Sequence, residues 1–153
     1  MEDAGASSTQ VRAECRRLNK TEGLDLIIID YLGLLNDRRE PNTNEATHLG
    51  QVTRRLRAML RDVDAGLLLL HQLNRDSARD NRPPRLHDLR GSGEIEQHTD
   101  VAMFLHPDEE DEGLGEQVTL YLRKNRHGPV GKVPLFFKKQ FSRFAERDER
   151  WDT

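Results

Sequence analysis

The hydrophobic positions of this chain fall into short, wholly apolar runs separated by amphipathic or polar stretches. The runs LDLIIIDYLGLL at 24–35 and GLLLLHQ at 66–72 lack polar alternation, which is typical of central parallel strands buried on both faces. A third apolar run, VAMFLH at 101–106, predicts another buried strand. Farther along, apolar and polar residues alternate, which predicts two or three antiparallel edge strands with a turn at Gly128 to Gly131.

Helical spacing of apolar residues appears before and between the first two of these runs. It predicts one helix over 8–20 and an amphipathic helix over 48–64, the latter rich in arginine on its polar side. A strand, a helix and a second strand in this order predict a right-handed parallel crossover unit. The polar segments 36–47 and 74–100 are predicted to be loops.

Composition narrows the class of protein without identifying it. The 153 residues suit one domain with a real core, and a net charge of -3 gives no overall basic field for nucleic acid. Most of the basic residues are arginine, with 19 arginines and 5 lysines. The single cysteine, Cys15, excludes an internal disulfide and a cysteine-rich zinc site, and no apolar stretch is long enough to span a membrane. We therefore expect a soluble, cytoplasmic domain.

Two polar residues stand where the first two apolar runs end. In open α/β sheets, ligands lie beyond the carboxyl ends of the parallel strands, where Asp30 and Gln72 are predicted to lie. An aspartate at this place holds magnesium in P-loop nucleotide enzymes, and a polar residue on the neighbouring strand can sense the terminal phosphate. The alternatives are ordinary ones, in which Asp30 caps the strand and Gln72 is a buried, satisfied amide.

The phosphate-binding loop of such enzymes, G-x-x-x-x-G-K-[ST], does not occur in this sequence. The segment GPVGKV at 128–133 imitates part of it, but only two residues separate its glycines. Val133 also stands where a hydroxyl would bind magnesium, and the segment joins two predicted strands instead of opening a helix. A complete nucleotide site is therefore not predicted for this chain alone.

Several stretches, taken in order, resemble the bacterial replicative DNA helicase family of the DnaB type, whose motor is a RecA-like ATPase domain. The resemblance extends from about Ser8 to Phe144 and rests on STQVRAECRRL, LIIIDYLGLL, the arginine-bearing helix, HQLNRD, RPPRLHDLRGSGEIEQHTD, VAMFL, KNRHGPVGKV and FSRF. It implies an α/β fold: part of a RecA-like P-loop NTPase core, with a mostly parallel central sheet and antiparallel edge strands at the C-terminus.

The resemblance also implies what this chain lacks. Family members place the phosphate loop and a catalytic glutamate upstream of the helix that begins here at residue 8. We therefore expect a flexible N-terminus at 1–7, the C-terminal part of a motor domain at 8–146 and a flexible tail at 147–153. Whether the chain is an enzyme by itself is left open, since ATP and Mg²⁺ are the cofactors of the family but the site is incomplete.

The family pattern gives roles to particular residues. Asp30 corresponds to the magnesium-associated acid of the Walker B strand, and Gln72 to the sensor of phosphate state. Lys124 and Arg126 correspond to a lysine-x-arginine pattern whose arginine reaches a neighbouring subunit's triphosphate and stabilises the transition state. An ordinary turn arginine is the alternative for Arg126.

A second set of residues corresponds to the family's DNA-binding loop. Arg90, Gly91 and Gly93 match the loop that grips single-stranded DNA, since glycines let main-chain N–H groups approach phosphates and arginine adds charge without reading sequence. Gly91 departs from the pattern, because an acid is usual there. The implied partners are single-stranded DNA and either identical subunits in a hexamer or a complementary front-half chain, without a membrane.

Three hypotheses of function follow. The first is the C-terminal portion of a replicative helicase motor, which unwinds DNA in the 5'-3' direction and is inactive alone because the phosphate loop is absent. The second is a non-catalytic remnant that binds single-stranded DNA or a helicase partner. The third is a RecA-like recombination or repair ATPase, against which DLRGSGEIEQ and KNRHGP argue because they match the helicase pattern better.

Overall fold

The structure, a computed structural model, describes residues 5–73, 82–89, 92–109 and 116–146. The chain divides into two compact units. The described residues up to 73 and from 87 to 99 belong to the first unit, and those from 82 to 86 and from 100 onward belong to the second. The predicted flexible tail at 147–153 lies outside the described residues, as does most of the predicted flexible N-terminus.

The two units have different secondary structure. The elements of the first are α1 (Ser8–Thr21), β1 (Leu26–Ile29), α2 (Glu45–Val63), β2 (Gly66–Leu69) and α3 (Ser92–His98). Those of the second are β3 (Val101–Glu109), β4 (Glu116–Asn125), β5 (Gly131–Lys138) and β6 (Arg143–Glu146). No helix in the described part of the chain is long and apolar enough to cross a membrane.

Side-chain caps define where the two long helices begin. At α1 the Ser7 side chain accepts from the Gln10 N–H, and the Gln10 side chain accepts from the Ser7 N–H, which forms a capping box. At α2 the Asn44 side chain accepts from the Thr47 N–H at 2.8 Å. This helix begins earlier than the predicted residue 48, because its first turn is polar and carries no apolar periodicity.

The first unit contains the predicted parallel strand–helix–strand arrangement. Strands β1 and β2 pair in parallel with Ile27 opposite Leu67, and α2 connects them. The Leu70 N–H donates to the Ile29 carbonyl at 3.0 Å, so the pairing continues past both strands. One face of this pair packs against the helices in a core whose buried members are Cys15, Ile27, Leu32, Leu49, Val52, Leu56, Met59, Val63 and Ile95.

The other face of the parallel pair carries large aliphatic side chains with no covering layer among the described residues. This open face consists of Leu26, Ile28, Leu68 and Leu70, of which Ile28 is 60% exposed and Leu26 54% exposed. The prediction that these strands are buried on both faces is therefore wrong for the described chain. The strands are apolar as predicted, but the described residues supply a helical layer on one face only.

The second unit is a four-stranded antiparallel sheet in the order β3-β4-β5-β6. Ala102 and Phe104 of β3 are buried, whereas Val101, Met103 and Leu105 are exposed, so the predicted third buried strand is buried on one face only. The α/β class is confirmed, but β1 and β2 form the only parallel pair among the described strands. The parallel part is smaller than predicted because β3 pairs antiparallel with β4, the next strand along the chain.

Helix α3 lies inside the segment that the sequence predicted to be a loop. Ile95 of α3 is buried in the core of the first unit, and Arg57 of α2 donates to the His98 carbonyl at 2.9 Å. A side chain on Gly50 of α2 would begin 2.3 Å from the Glu94 Cβ, so only glycine admits this close contact. The helix is short and polar on most positions, and its stability therefore comes from α2 more than from its own sequence.

Asp37 joins the start of α1 to α2. Its carboxylate accepts from the Ser8 N–H at 2.7 Å, from the Ser8 hydroxyl at 2.6 Å and from Arg55 at 3.1 Å, and its side chain is only 4% exposed. Burial raises the pKa of Asp37, but the hydrogen bonds from Ser8 and the contact with Arg55 outweigh it and hold the pKa below its ordinary value of 3.8. The loop after β1 is thereby tied to both helices.

We predict that Asp37→Ala lowers the free energy of unfolding by about 2–3 kcal/mol, since it removes three charge-assisted hydrogen bonds and leaves Ser8 without its acceptor. Chemical denaturation measures this. The matched control is Asp62→Ala, which removes an exposed ion pair with Arg12 and should cost about 1 kcal/mol or less. Equal losses in the two variants would contradict the role given to Asp37.

The same carboxylate predicts a direction for acid sensitivity. Because its pKa is lower in the folded chain than in the unfolded chain, its stabilisation is complete above the ordinary value of 3.8 and disappears as the pH falls through the lower folded pKa. The loss of stability of the wild type below that value should therefore be larger than that of Asp37→Ala over the same pH range.

Alanine substitutions at two neighbouring residues of β1 test whether only one face of the strand is buried. Ile27→Ala should lower the free energy of unfolding by about 2–4 kcal/mol, because Ile27 is in the core. Ile28→Ala should change it by less than about 1 kcal/mol, because Ile28 is on the open face. Thermal or chemical denaturation of both variants measures the difference, and a large loss from Ile28→Ala would show that this face is covered in solution.

Candidate nucleotide and nucleic-acid sites

The parallel pair places Asp30 and Gln72 at the same edge of its sheet. Asp30 directly follows the last residue of β1, and Gln72 follows β2, while Ile29 and Leu69 are register partners. Carboxyl ends of parallel strands are where α/β domains bind ligands. The sequence prediction of their position is thus consistent with the strand topology.

Asp30 is exposed and has none of the contacts that a strand-capping acid would make with the described residues. The backbone around it is fixed instead by main-chain hydrogen bonds, from Leu70 to the Ile29 carbonyl and from Leu32 to the Leu70 carbonyl at 2.9 Å. The peptide bond between Asp30 and Tyr31 is cis. A carboxylate held at a strand end and turned to solvent can accept a cation or a water molecule without losing a structural bond.

A single carboxylate limits which metal chemistry the site can support. No group of three or more His, Cys, Asp or Glu side chains that could hold a metal occurs among the described residues. Magnesium is commonly bound by one or two carboxylates together with water and substrate phosphates. Asp30 therefore fits a magnesium site in which a nucleotide supplies further ligands, and does not fit a metal site built by these residues alone.

Gln72 is also exposed, so it is not the buried amide of the alternative interpretation. Its side chain makes no hydrogen bond with the described residues. The neighbouring His71 and Leu73 are half-buried, and Leu73 forms an isolated bridge with Leu89. The backbone on the far side of Gln72 is thus anchored while its amide remains available to a ligand.

Lys124 and Arg126 lie in the second unit, on and just after β4. Lys124 is half-buried and opposite Ala102, while Arg126 is exposed and forms a 2.7 Å ion pair with Asp100. The Arg126 N–H also donates to the Asp100 carbonyl at 2.9 Å. Arg126 is therefore held at both main chain and side chain, and because both partners of the ion pair are substantially exposed, the pair is weak enough to exchange.

Of the predicted DNA-binding residues, only Gly93 is described. Arg90 and Gly91 lie outside the described residues. Gly93 is in the first turn of α3, and a side chain added to it would meet nothing within 4 Å. This glycine is therefore not required by packing within the described chain, in contrast to Gly50.

Three charged residues have structural roles that were not predicted from the sequence. Arg55 and Arg57 were interpreted as helix surface, but they bind Asp37 and the His98 carbonyl. Asp100, the partner of Arg126, was not singled out at all. Each of these contacts joins residues far apart in sequence, and no local pattern indicates them.

A parallel strand–helix–strand unit with an acid and an amide at its carboxyl edge defines an α/β domain of the class that binds ligands at this edge of the sheet. Comparison with known proteins is more specific. The chain belongs to the DnaB-like helicase C terminal domain family, which matches residues 1–146.

Curated relatives are whole replicative helicases. The chain is 34% identical over 148 residues to the replicative DNA helicase DnaB of Geobacillus stearothermophilus, a match that covers 94% of this chain and 33% of the relative. It is 37% identical over 159 residues to DnaB of Haemophilus influenzae, covering 97% of this chain and 33% of the relative. The chain thus spans about a third of the length of the relatives it matches.

Solved structures confirm the RecA-like α/β fold. A DnaB-like replicative helicase, solved to show its interactions with primase, matches with a TM-score of 0.84 and 31% identity, over 97% of this chain and 36% of that one. A second solved structure, of an ATPase domain, matches with a TM-score of 0.83 and 31% identity, over 95% of this chain and 53% of that domain. About half of a solved ATPase domain therefore has no counterpart in the aligned chain.

The absence of structural contacts at Asp30 yields a prediction. Asp30→Ala should change the free energy of unfolding by no more than about 0.5 kcal/mol, because an exposed side chain without partners among the described residues is being shortened. Chemical denaturation beside the wild type measures it. A loss of 1 kcal/mol or more, about twice that limit, would favour the strand-cap interpretation over the ligand-binding one.

Proposed function

We propose that the chain is the C-terminal portion of a replicative DNA helicase motor, which couples ATP hydrolysis to 5'-3' unwinding during DNA replication in the cytoplasm. One observation carries the proposal: Asp30 and Gln72 lie together at the carboxyl edge of the parallel pair, in a chain of the helicase family. Both side chains are exposed and have no structural partners among the described residues. In this function Asp30 is the magnesium-side acid and Gln72 the sensor of the terminal phosphate.

The open face supports the proposal that this portion works with a second one. Parallel sheets are found almost only with both faces covered. In this pair helices cover one face, whereas the four large aliphatic side chains of the other face remain exposed. The matched ATPase domain extends well beyond the aligned region. We propose that the front half of the motor, which carries the phosphate loop, covers the open face and supplies the phosphate contacts that Asp30 needs.

Arg126 completes the proposed site from another subunit. Its guanidinium would leave Asp100 and bind the triphosphate held by a neighbour in a hexamer, where it would offset the charge that develops in the transition state. An exposed ion pair costs little to break, so this exchange is energetically accessible. Lys124 on β4 would add a second cation. Arg90 and Gly91, which precede α3 in sequence, and Gly93 in its first turn would contact the backbone of single-stranded DNA.

Nucleotide binding tests the proposal in two stages. The purified chain, titrated with a fluorescent ATP analogue and Mg²⁺, should show no saturable binding and no ATP hydrolysis, with or without single-stranded DNA. Addition of the phosphate-loop portion of the ATPase domain of the Geobacillus stearothermophilus relative should create magnesium-dependent binding. Asp30→Ala should abolish that binding, while Ile28→Asp should prevent association of the two portions by placing a charge on the covered face.

The two stages contradict different parts of the proposal. Saturable binding by the isolated chain that is lost in Asp30→Ala would contradict the proposal that the chain is inactive by itself. It would still support a nucleotide site at Asp30. A stable complex of the two portions that binds the analogue equally well with Asp30 and with alanine would overturn the role of Asp30. Asp62→Ala, a surface change on α2, serves as the control that should leave both stages unaltered.

A second function is favoured by the lack of a phosphate loop in this chain. As a non-catalytic subunit it would bind single-stranded DNA or a helicase without turnover. DNA binding by the chain that persists when no front-half portion restores nucleotide binding would support this alternative.

A further inference from the structure

Helix α3 is held against α2 near both of its ends. Near its start, α3 approaches Gly50 of α2 so closely that a side chain on this glycine would clash with the Glu94 Cβ. Near its end, Arg57 Nη1 donates to the His98 carbonyl at 2.9 Å. Between these contacts Ile95 is buried in the core of the first unit. A helix as short as α3 is not stable by itself, so these contacts with α2 and the core define where it lies.

The order of these contacts gives the direction of α3. Gly50 and Arg57 are about two turns apart on α2 and lie on the same face of that helix. Their partners Glu94 and His98 follow the same order along α3, so the two helices run in the same general direction. Because α2 returns the chain between two parallel strands, its first turns lie towards the carboxyl edge of the sheet. The start of α3 is therefore at the same end of the unit as Asp30.

The place of Gly93, the described member of the proposed DNA contacts, depends on α3. Gly93 is in the first turn of this helix and directly precedes Glu94, the residue that packs on Gly50. The space around it is open, since a side chain there would meet nothing within 4 Å. A binding group is effective when neighbouring contacts hold it within about 0.5 Å of its productive position. For Gly93 the nearest such contact is the packing of Glu94 on Gly50.

We propose that Gly50 and Arg57 are positioning residues, which hold α3 in the orientation that brings Gly93 to single-stranded DNA. Gly50 sets how closely the start of α3 approaches α2, and Arg57 fixes its end through a main-chain carbonyl. Glycine within a helix lowers its stability relative to alanine, and the close approach of α3 is what this glycine permits. Neither residue contacts DNA in this proposal. The inference rests on the proposed function, from which it takes the DNA contact of Gly93.

Fluorescence anisotropy of a labelled oligo-dT strand, titrated with the full chain at low salt, tests the positioning role. Gly50→Ala should displace the start of α3 and weaken binding about tenfold, which corresponds to the loss of one hydrogen bond to a charged group. Arg57→Ala should also weaken binding, whereas Arg57→Lys should retain most of the affinity because a carbonyl needs only one donor. Amide hydrogen exchange of α3 should become faster in Gly50→Ala and in Arg57→Ala, while that of α2 stays unchanged.

Two further substitutions serve as controls. Gly66→Ala places a methyl group in ordinary contact with the Leu26 side chain, at 3.5 Å, and should leave binding and α3 exchange unchanged. Arg54→Ala removes an exposed arginine from the same helix, so it measures the loss of one positive charge without loss of the His98 contact. Unfolding curves of each variant separate displacement of α3 from loss of the whole fold, and the Arg57 variants keep the test open if Gly50→Ala does not fold.

Gly93→Ala tests the DNA contact separately from the positioning role. Because the space around Gly93 is open, this change should leave α3 exchange unaltered while it weakens binding. Weaker binding in Gly93→Ala together with wild-type affinity in Gly50→Ala and Arg57→Ala would overturn the positioning role and keep the DNA contact. Unchanged affinity in Gly93→Ala, or no saturable binding by the wild type, would overturn both. Equal weakening by Arg54→Ala and Arg57→Ala would reduce Arg57 to a surface charge and overturn its positioning role.

Discussion

The first unit depends on one-sided burial of a two-stranded parallel sheet. Helices α1 and α2 cover one face of β1 and β2, and the fully buried side chains of α2 form the centre of the core. Backbone pairing fixes the strands in register, but a two-stranded sheet is marginally stable by itself and depends on packing against helices. The position of Asp30, the placement of Gln72 and the support of α3 by α2 all follow from this single layer of packing.

Much of this unit could be predicted from residue patterns. Apolar runs identified β1 and β2, helical spacing identified α2, and the order strand, helix, strand predicted the parallel crossover. Burial on both faces could not be predicted correctly, because a sequence records what a strand is suited to contact and not which layers are present. The apolar side chains of Leu26 and Ile28 are suited to a covering layer, which the described residues do not supply.

The candidate sites also have features that could be predicted from the sequence and features that could not. Strand ends predicted the positions of Asp30 and Gln72, since a topological rule places ligands there. The environment of Arg126 could not be predicted, because its partner Asp100 is distant in sequence and the ion pair depends on how β3 pairs with β4. Likewise α3 was missed because its helical state rests on tertiary contacts, through Gly50 and Ile95, that outweigh a weak local propensity.

Asp30 shows why a strand end alone does not make a metal site. It is a single carboxylate, and no group of three or more His, Cys, Asp or Glu side chains that could hold a metal occurs among the described residues. Magnesium bound by one or two carboxylates takes its remaining ligands from water and substrate phosphates. Useful magnesium affinity at this edge would therefore require a nucleotide, together with protein groups that hold its phosphates.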